Sequence, residues 1–323
     1  MPIDREQLRL KIEFLASKGV HIGTSSWKYQ GWMDQLYTRE RYQWRGKVST
    51  SRFEQNSLEE YAEVFSTVCV DAAYYVFPRR ESLQKLADQV PDGFQFGFKV
   101  TDTITIKKFP NLPRFGVQAG RLNPDYLNAD LFHTAFLAPC ESILKKVGVI
   151  MFEFSRFWPS DYEHGRDFLG DLDRFLGKLP KDWPYAIELR NQNWLHEDYF
   201  RCLAEHRVTH VFNSWSAMPP VSEQMLIPQS RTNPSLVAAR FLLRPGREYA
   251  EAVKAFQPYN QIKEVNDEAR KAGAALIQEG VKECVEAPKK TFIFINNRLE
   301  GNALSTIEAM MGLAMEGHGA NRP

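Results

Sequence analysis

The 323-residue chain has no stretch of roughly 18 consecutive apolar residues, so no segment is long enough to cross a bilayer as a helix, and a soluble protein is expected. Cysteine is scarce: Cys69, Cys140, Cys202 and Cys284 lie far apart and form no CxxC pair. That spacing speaks against a disulfide framework or thiolate metal site and predicts reduced thiols in a cytoplasmic protein. An excess of one charge is also missing. Lys plus Arg number 41 against 40 Asp plus Glu, a formal net charge of +1, which removes any global attraction to nucleic acid or anionic membrane. Any electrostatic preference must be local. Catalytic signatures are few. No GxGxxG or P-loop follows a candidate strand, which weakens the nucleotide-binding folds, and without a GxSxG a Ser-His-Asp triad has no support. The seven histidines scatter. Their one HxxxH pair, His206 and His210, straddles a predicted helix end and strand start, so it lacks the geometry of a helical metal pair. The N-terminal "MPIDREQLRLKIEFLASKGV" breaks its apolar residues with charges, as a first helix does and a signal peptide does not.

What is present is a repeating order of short apolar runs and charged amphipathic segments, with 43% hydrophobic and 25% charged residues as in an ordinary globular protein. Candidate strands are "GVHIGTSS", "TVCVDAAYY", "GFQFGFKV", "VGVIMFEFS", "PYAIELRN", "THVFNSW", "LVAARFLL" and "TFIFINN". Helical patterns lie between them at 57–65 (Ser57 and Glu60 in capping-box spacing), 79–90, 166–179 and 197–207. Alternating strands and helices predict a parallel sheet covered by helices, and eight such units in a chain of this length predict an α/β fold, a (β/α)8 TIM-type barrel. One domain over 1–323 is expected, with its core at about 20–316, a long helical seventh crossover over 246–290 and a flexible tail over 317–323.

Side chains alternate along a strand. In "FQFGFKV" the phenylalanines share one face, toward the helices, and Lys99 falls on the other, inside the barrel. The same parity turns Glu188 and Arg190 inward from Ile187 and Leu189, Arg240 inward from Ala239 and Phe241, and Glu153 inward from Phe152 and Phe154. In "CVDAA", Cys69, Asp71 and Ala73 share a face. Asp71, Lys99, Glu153, Glu188, Arg190 and Arg240 are therefore predicted to meet at the C-terminal mouth, where such barrels carry their chemistry. An isolated buried charge costs several kcal/mol, so these groups pair, meet water or shift their pKa values. A purely structural ion-pair network is the competing reading. A Mg2+ or Mn2+ site of Asp71, Glu153 and Glu188 is a further alternative, opposed by the neighbouring cations; otherwise no cofactor is expected.

Two loops on the predicted active face interleave basic and aromatic residues. Residues 38–53 carry Arg39, Arg41, Arg45, Lys47 and Arg52 with Tyr42, Trp44 and Phe53, and residues 106–121 carry Lys107, Lys108, Arg114 and Arg121. Such loops hold phosphates and stack bases, or are simply solvated. Ser25 and Asn213 end strands with polar groups, and Asn296 and Asn297 offer amide donors before a helix start, where an anion could bind or the amides could cap loops.

Three motifs in order resemble the DUF72 (YecE-like) family. "HIGTSSWKYQGW" at 21–32 is similar to the family's opening "IGTSGW-Y-GW", "YAIELRNQNW" to its "ya-E-R--sW", and "FINNRLEGNALSTIEAM" to its closing "FNN---G-A--NA". The resemblance runs over about 20–320 and implies a TIM-type barrel; it implies no activity. It carries over Gly23, Trp27, Lys99, Glu188, Arg190, Trp194, Arg240, Asn296 and Asn297. Four positions depart from the family pattern: Cys69 stands at a customary Glu, Asp71 at an Asn, Ile106 at a His and Glu153 at a Gln. These departures imply altered or lost activity relative to the family.

The expectation is an enzyme for a small phosphate- or carboxylate-bearing substrate. Lys99 and Arg190 would stabilise negative charge, Glu188 would act as general acid or base with Asp71 and Glu153 beside it, and Ser25, Trp27, Trp194, Asn213, Arg240, Asn296 and Asn297 would bind substrate. A nucleic-acid-binding protein using the basic loops and a non-catalytic ligand-binding barrel are the alternatives.

Overall fold

The computed structural model describes residues 3–286 and 289–319, with only the backbone for 283–286 and 317–319. Eight strands form one closed parallel barrel. They are β1 (Val20–Thr24), β2 (Thr67–Val70), β3 (Gln95–Lys99), β4 (Val147–Phe154), β5 (Tyr185–Leu189), β6 (Thr209–Ser214), β7 (Leu236–Phe241) and β8 (Lys290–Ile295). Each strand pairs with the next in the chain, and β8 closes on β1 with Thr24 beside Ile295. The (β/α)8 reading of the sequence holds.

Two apolar layers follow from strand parity. Ile22, Phe96, Phe98, Phe152, Ile187, Leu189, Ala239 and Phe241 face the helices, while Cys69, Val149, Met151, Ala186, Val211, Ala238, Phe292 and Phe294 fill the lumen. Gly97 makes room for this filling: a Cβ there would lie 2.5 Å from the Phe294 ring. Below the mouth the barrel is packed solid, which leaves the rim as the place where a site could lie.

The surrounding helices include α1 (Arg5–Ser17), α2 (Thr50–Ala62), α3 (Arg80–Ala87), α4 (Gly165–Lys178), α5 (Glu197–Glu205), α6 (Val221–Leu226), α7 (Tyr249–Phe256), α8 (Asp267–Glu286) and α9 (Ala303–Gly319). Among the described residues, no helix is long and apolar enough to cross a membrane.

Four expectations need correction. Helix α2 begins at Thr50, capped by the Ser49 hydroxyl, so Ser57 and Glu60 are buried interior positions and not a capping box. The seventh crossover is two helices, because Pro258 lacks an N–H and Tyr259 takes φ 67°, which a helix cannot continue through. The second strand stops at Val70, and Ala72–Tyr75 makes a helical turn, held where the Thr101 hydroxyl donates to the Ala73 carbonyl at 2.7 Å. Ala73 therefore packs outside the barrel and does not share the face of Cys69. Of the expected tail, 317–319 continues α9, and 320–323 lies outside the described residues.

Candidate active site at the barrel mouth

Five barrel strands deliver one charged cluster. Lys99 ends β3, Glu153 lies late in β4, Glu188 late in β5 with Arg190 just beyond, Arg240 late in β7, and Asp71 just past β2. Glu153 Oε2 is the hub, accepting from Lys99 Nζ at 2.8 Å, Arg190 Nη2 at 2.9 Å and Arg240 Nη1 at 2.8 Å. Glu188 Oε1 takes Arg190 through Nε at 2.9 Å and Nη2 at 2.7 Å, and its Oε2 accepts from Arg240 Nη1. Asp71 Oδ1 stands 3.9 Å from Lys99 and 3.8 Å from Arg240. Three cations thus balance three carboxylates, as burial requires. Glu188 is 0% exposed, whereas the Asp71 side chain remains 36% exposed.

Aromatic rings set the cations' posture. Lys99 Nζ lies 3.8 Å from the Tyr74 ring centroid, and the Arg190 guanidinium lies 3.7 Å from that of Trp215. Burial by itself would raise the Glu153 pKa, but the charges of Arg190, Lys99 and Arg240 outweigh it and hold the carboxyl well below the usual range. Burial likewise drives the pKa of the Cys69 thiol upward, which disfavours the thiolate.

Above the cluster opens a cleft of about 640 Å³ whose floor includes Glu153, Arg190 and Tyr74. Its lining carries five cations, Lys107, Lys108, Arg114, Arg156 and Arg190, against the two carboxylates of Glu153 and Asp161. Arg114 is neutralised by Asp102 at 2.7 Å. Lys107, Lys108 and Arg156 have no carboxylate within ion-pair distance among the described residues; Lys107 instead sits 3.1 Å from the Tyr162 ring centroid, where burial lowers its pKa. Arg190 spends Nε and Nη2 on Glu188 and Glu153, which leaves Nη1 without a hydrogen-bond partner among the described residues, where the side chain lines the cleft. The site is a guanidinium aimed by two buried carboxylates into a cationic pocket.

The family model described as "Protein of unknown function DUF72" matches residues 21–323. The chain belongs to the DUF72 family. A DUF72 family protein from Enterococcus faecalis V583 has the same fold at 21% identity, with a TM-score of 0.61 over 92% of this chain and 95% of its own. One from Thermotoga maritima MSB8 gives 17% identity and a TM-score of 0.55 over 93% of this chain and 99% of its own. No curated protein matches the chain.

Of the other residues singled out in the sequence of this DUF72 protein, Trp194 lines a second cavity beside Arg190. The other expected substrate-binding residues, Ser25, Trp27, Asn213, Asn296 and Asn297, are buried. Ser25, 1% exposed, bonds through its backbone N–H to Ile295 and leaves its hydroxyl without a partner. Trp27 packs in the outer core, and Asn213 donates to the Leu189 carbonyl at 3.1 Å. Asn296 Oδ1 accepts from the Arg298 backbone at 2.9 Å. Asn297 Oδ1 accepts from Trp32 Nε1 at 3.2 Å and from the Ala303 N–H at 2.7 Å, capping α9. In the loop 38–53, Arg39 pairs with Asp34 and Arg41 with Glu63, while Tyr42 and Phe53 are core residues. Ile106, at the customary His position, lines the cleft.

Sequence reasoning missed Arg156, Trp158, Gln192 and Asn193. Counting on past the last residue of β4 and β5 finds them, since each follows a strand end within a few residues.

The carboxylates at the mouth do not fit a divalent cation, because lysine and arginine side chains stand between them. Among the described residues, donor atoms converge only at Asp173, Cys202 and His206, all within 4.8 Å of one another on the outside of the barrel. There His206 Nε2 already meets Asp173 at 2.7 Å, and Lys181 Nζ lies 3.3 Å from His206 Nδ1, an ammonium where an ion would need neutral surroundings. His210 stands apart from it, buried in β6 with its pKa pushed down to about 3 by desolvation. Cys69, Cys140 and Cys202 are free buried thiols, and the Cys284 side chain lies outside the described residues.

Proposed function

We propose that this DUF72 barrel is an enzyme acting on a small anionic substrate by acid/base chemistry at its C-terminal mouth. The observation that carries the reading is the cationic excess of the cleft, with Lys107, Lys108 and Arg156 unpaired and Arg190 Nη1 unspent directly above a self-neutralised cluster. A purely structural network would satisfy its own donors, as buried polar groups do. An anion supplies the missing acceptors.

The residues divide the work by accessibility. Arg190 and Lys99 stabilise negative charge that develops on the substrate. Glu188, wholly buried with both oxygens accepting from arginines, holds the two guanidinium groups and does not reach substrate. Asp71, half-exposed and flanked by Lys99 and Arg240, is the carboxylate placed to take or give a proton. The three free, buried thiols accord with work in the cytoplasm.

The test is calorimetric titration with inorganic phosphate and citrate, followed by an NMR screen of phosphate esters and hydroxy acids for turnover. One of the anions is expected to bind, Arg190→Ala to abolish that binding, and Asp71→Asn to keep binding but lose turnover. Absence of any anion binding would sink the proposal. A second reading, nucleic-acid binding, draws on Trp44, which is 55% exposed with Arg52 stacked 4.3 Å from its ring centroid. Oligonucleotide affinity that falls steeply with salt and with Arg45→Ala or Lys108→Ala would favour it.

A further inference from the structure

Beside the main cleft lies a smaller cavity of about 260 Å³, walled by Arg156, Arg190, Gln192, Asn193 and Trp194. Two of its walls, Arg156 and Arg190, also belong to the larger cleft. A ligand can therefore place its charge at the shared arginines and extend a second, different group into the small cavity.

The chemistry of that second group can be read from the other walls. Gln192 and Asn193 are exposed on a single 3-10 turn, and neither amide side chain has a hydrogen bond among the described residues. Each offers both a donor and an acceptor, the pattern that hydroxyl groups need, since a hydroxyl gives and receives. Trp194 supplies a platform. Its ring stacks on Phe157 at 5.5 Å and on Phe168 at 5.4 Å, and those two rings lie 5.1 Å from each other. Rings on opposite faces of the indole would be about twice as far apart, so both lie on one side of it; Gly165 packs on its pyrrole part, where a Cβ would lie 2.9 Å from Cδ1, and the half-buried remainder of the indole lines the cavity. An indole face suits the C–H surface of a sugar ring while the ring's hydroxyls bond to the amides beside it.

At the junction, two guanidinium groups line both cavities. Arg190 is held rigid by Glu188 and Glu153 with Nη1 to spare, and Arg156 has no carboxylate partner. Lys107 and Lys108 add charge from the main cleft. Such an array favours a dianion with several acceptor oxygens over a single carboxylate.

We infer that the substrate class is a phosphorylated monosaccharide, with the phosphate between Arg156 and Arg190 and the sugar ring against Trp194, Gln192 and Asn193. This inference rests on the proposed anion-binding function and specifies it.

The experiment compares inorganic phosphate, a panel of pentose and hexose phosphates, the corresponding free sugars, and adenosine monophosphate by calorimetry on the full chain. At least one sugar phosphate is expected to bind tenfold or more tighter than inorganic phosphate. The double variant Gln192→Ala, Asn193→Ala changes only exposed side chains. It should erase that advantage while leaving phosphate affinity unchanged, and Trp194→Ala should do the same if it folds. Phosphate binding with no gain from any sugar, or a gain that the double variant does not touch, overturns the inference and leaves the anion site standing. Tighter binding of adenosine monophosphate than of every sugar phosphate also overturns it, in favour of a base on the indole. If neither phosphate nor any phosphate ester binds, the inference is overturned, and if citrate does not bind either, the anion-binding function falls with it.

Discussion

Two kinds of buried carboxylate occur in this protein, and their difference supports the proposed site. Glu60 on α2 and Glu300 ahead of α9 are both 0% exposed, as Glu188 is. Glu60 accepts from the Thr38 N–H at 2.9 Å, the Thr38 hydroxyl at 2.6 Å, the Tyr42 hydroxyl at 2.7 Å and Arg5 at 3.2 Å. Glu300 accepts from the Asn266 N–H at 2.5 Å, the Thr306 hydroxyl at 2.7 Å and Arg270 at 2.9 Å. Each ties a loop to a helix, and its bonds end in the scaffold. At the mouth the carboxylates bind cations of which Arg190 lines the cleft with Nη1 left over, and the Asp71 side chain stays 36% exposed. Burial of charge therefore does not distinguish the two; unspent bonding capacity beside a cavity does.

The sharpest test is Glu188→Ala. It leaves Arg240, 2% exposed, without a principal partner, and should cost about 3–5 kcal/mol in urea unfolding, because an uncompensated buried charge remains. It should also weaken anion binding by freeing Arg190. Next comes Glu300→Gln, expected to cost about 2 kcal/mol through weakened charge-assisted hydrogen bonds. Phosphate affinity should not change, and a change there would break the distinction drawn between the two kinds of carboxylate. Arg156→Ala is the converse case. Stability should stay within about 0.5 kcal/mol of the parent, while phosphate binding weakens about tenfold, or about 1.4 kcal/mol.

The smallest effect at neutral pH is the acid sensitivity set by Glu153. Its folded pKa is depressed, so its contribution is fully present above the unfolded value of about 4.3 and disappears as pH falls through that value toward the folded one. Melting temperatures taken between pH 5 and pH 3 should fall more steeply for the parent than for Glu153→Gln. Equal slopes would mean that the cations at the mouth do not hold this carboxyl down.

The convergence of Lys99, Glu153, Glu188, Arg190 and Arg240 was legible in the sequence because each lies in or next to a strand whose apolar neighbours fix the parity. Asp71 arrived at the same place by another route, on a helical turn past the strand end. Asn213 and Asn297 carry the polarity expected of ligand contacts, yet their groups go to the Leu189 carbonyl and to Trp32 and the α9 cap. Which way an amide spends its bonds depends on neighbours far away in the chain. The loop 38–53 divides in a way its composition does not record: Tyr42 and Phe53 fill the core and Arg39 and Arg41 meet acids, while Trp44 stays exposed. Arg156 and Gln192 went unseen because loops have no periodicity to fix a side chain's direction.

What the sequence by itself determined is the barrel and the inward set of charges, because a period of two and an apolar lumen leave a strand residue only two directions. Tertiary structure alone decided which of those charges neutralise one another, which atom of Arg190 is left over, and that Arg156 and Trp194 stand beside it. Those are matters of distance between separate strand ends, and no local pattern along the chain records them.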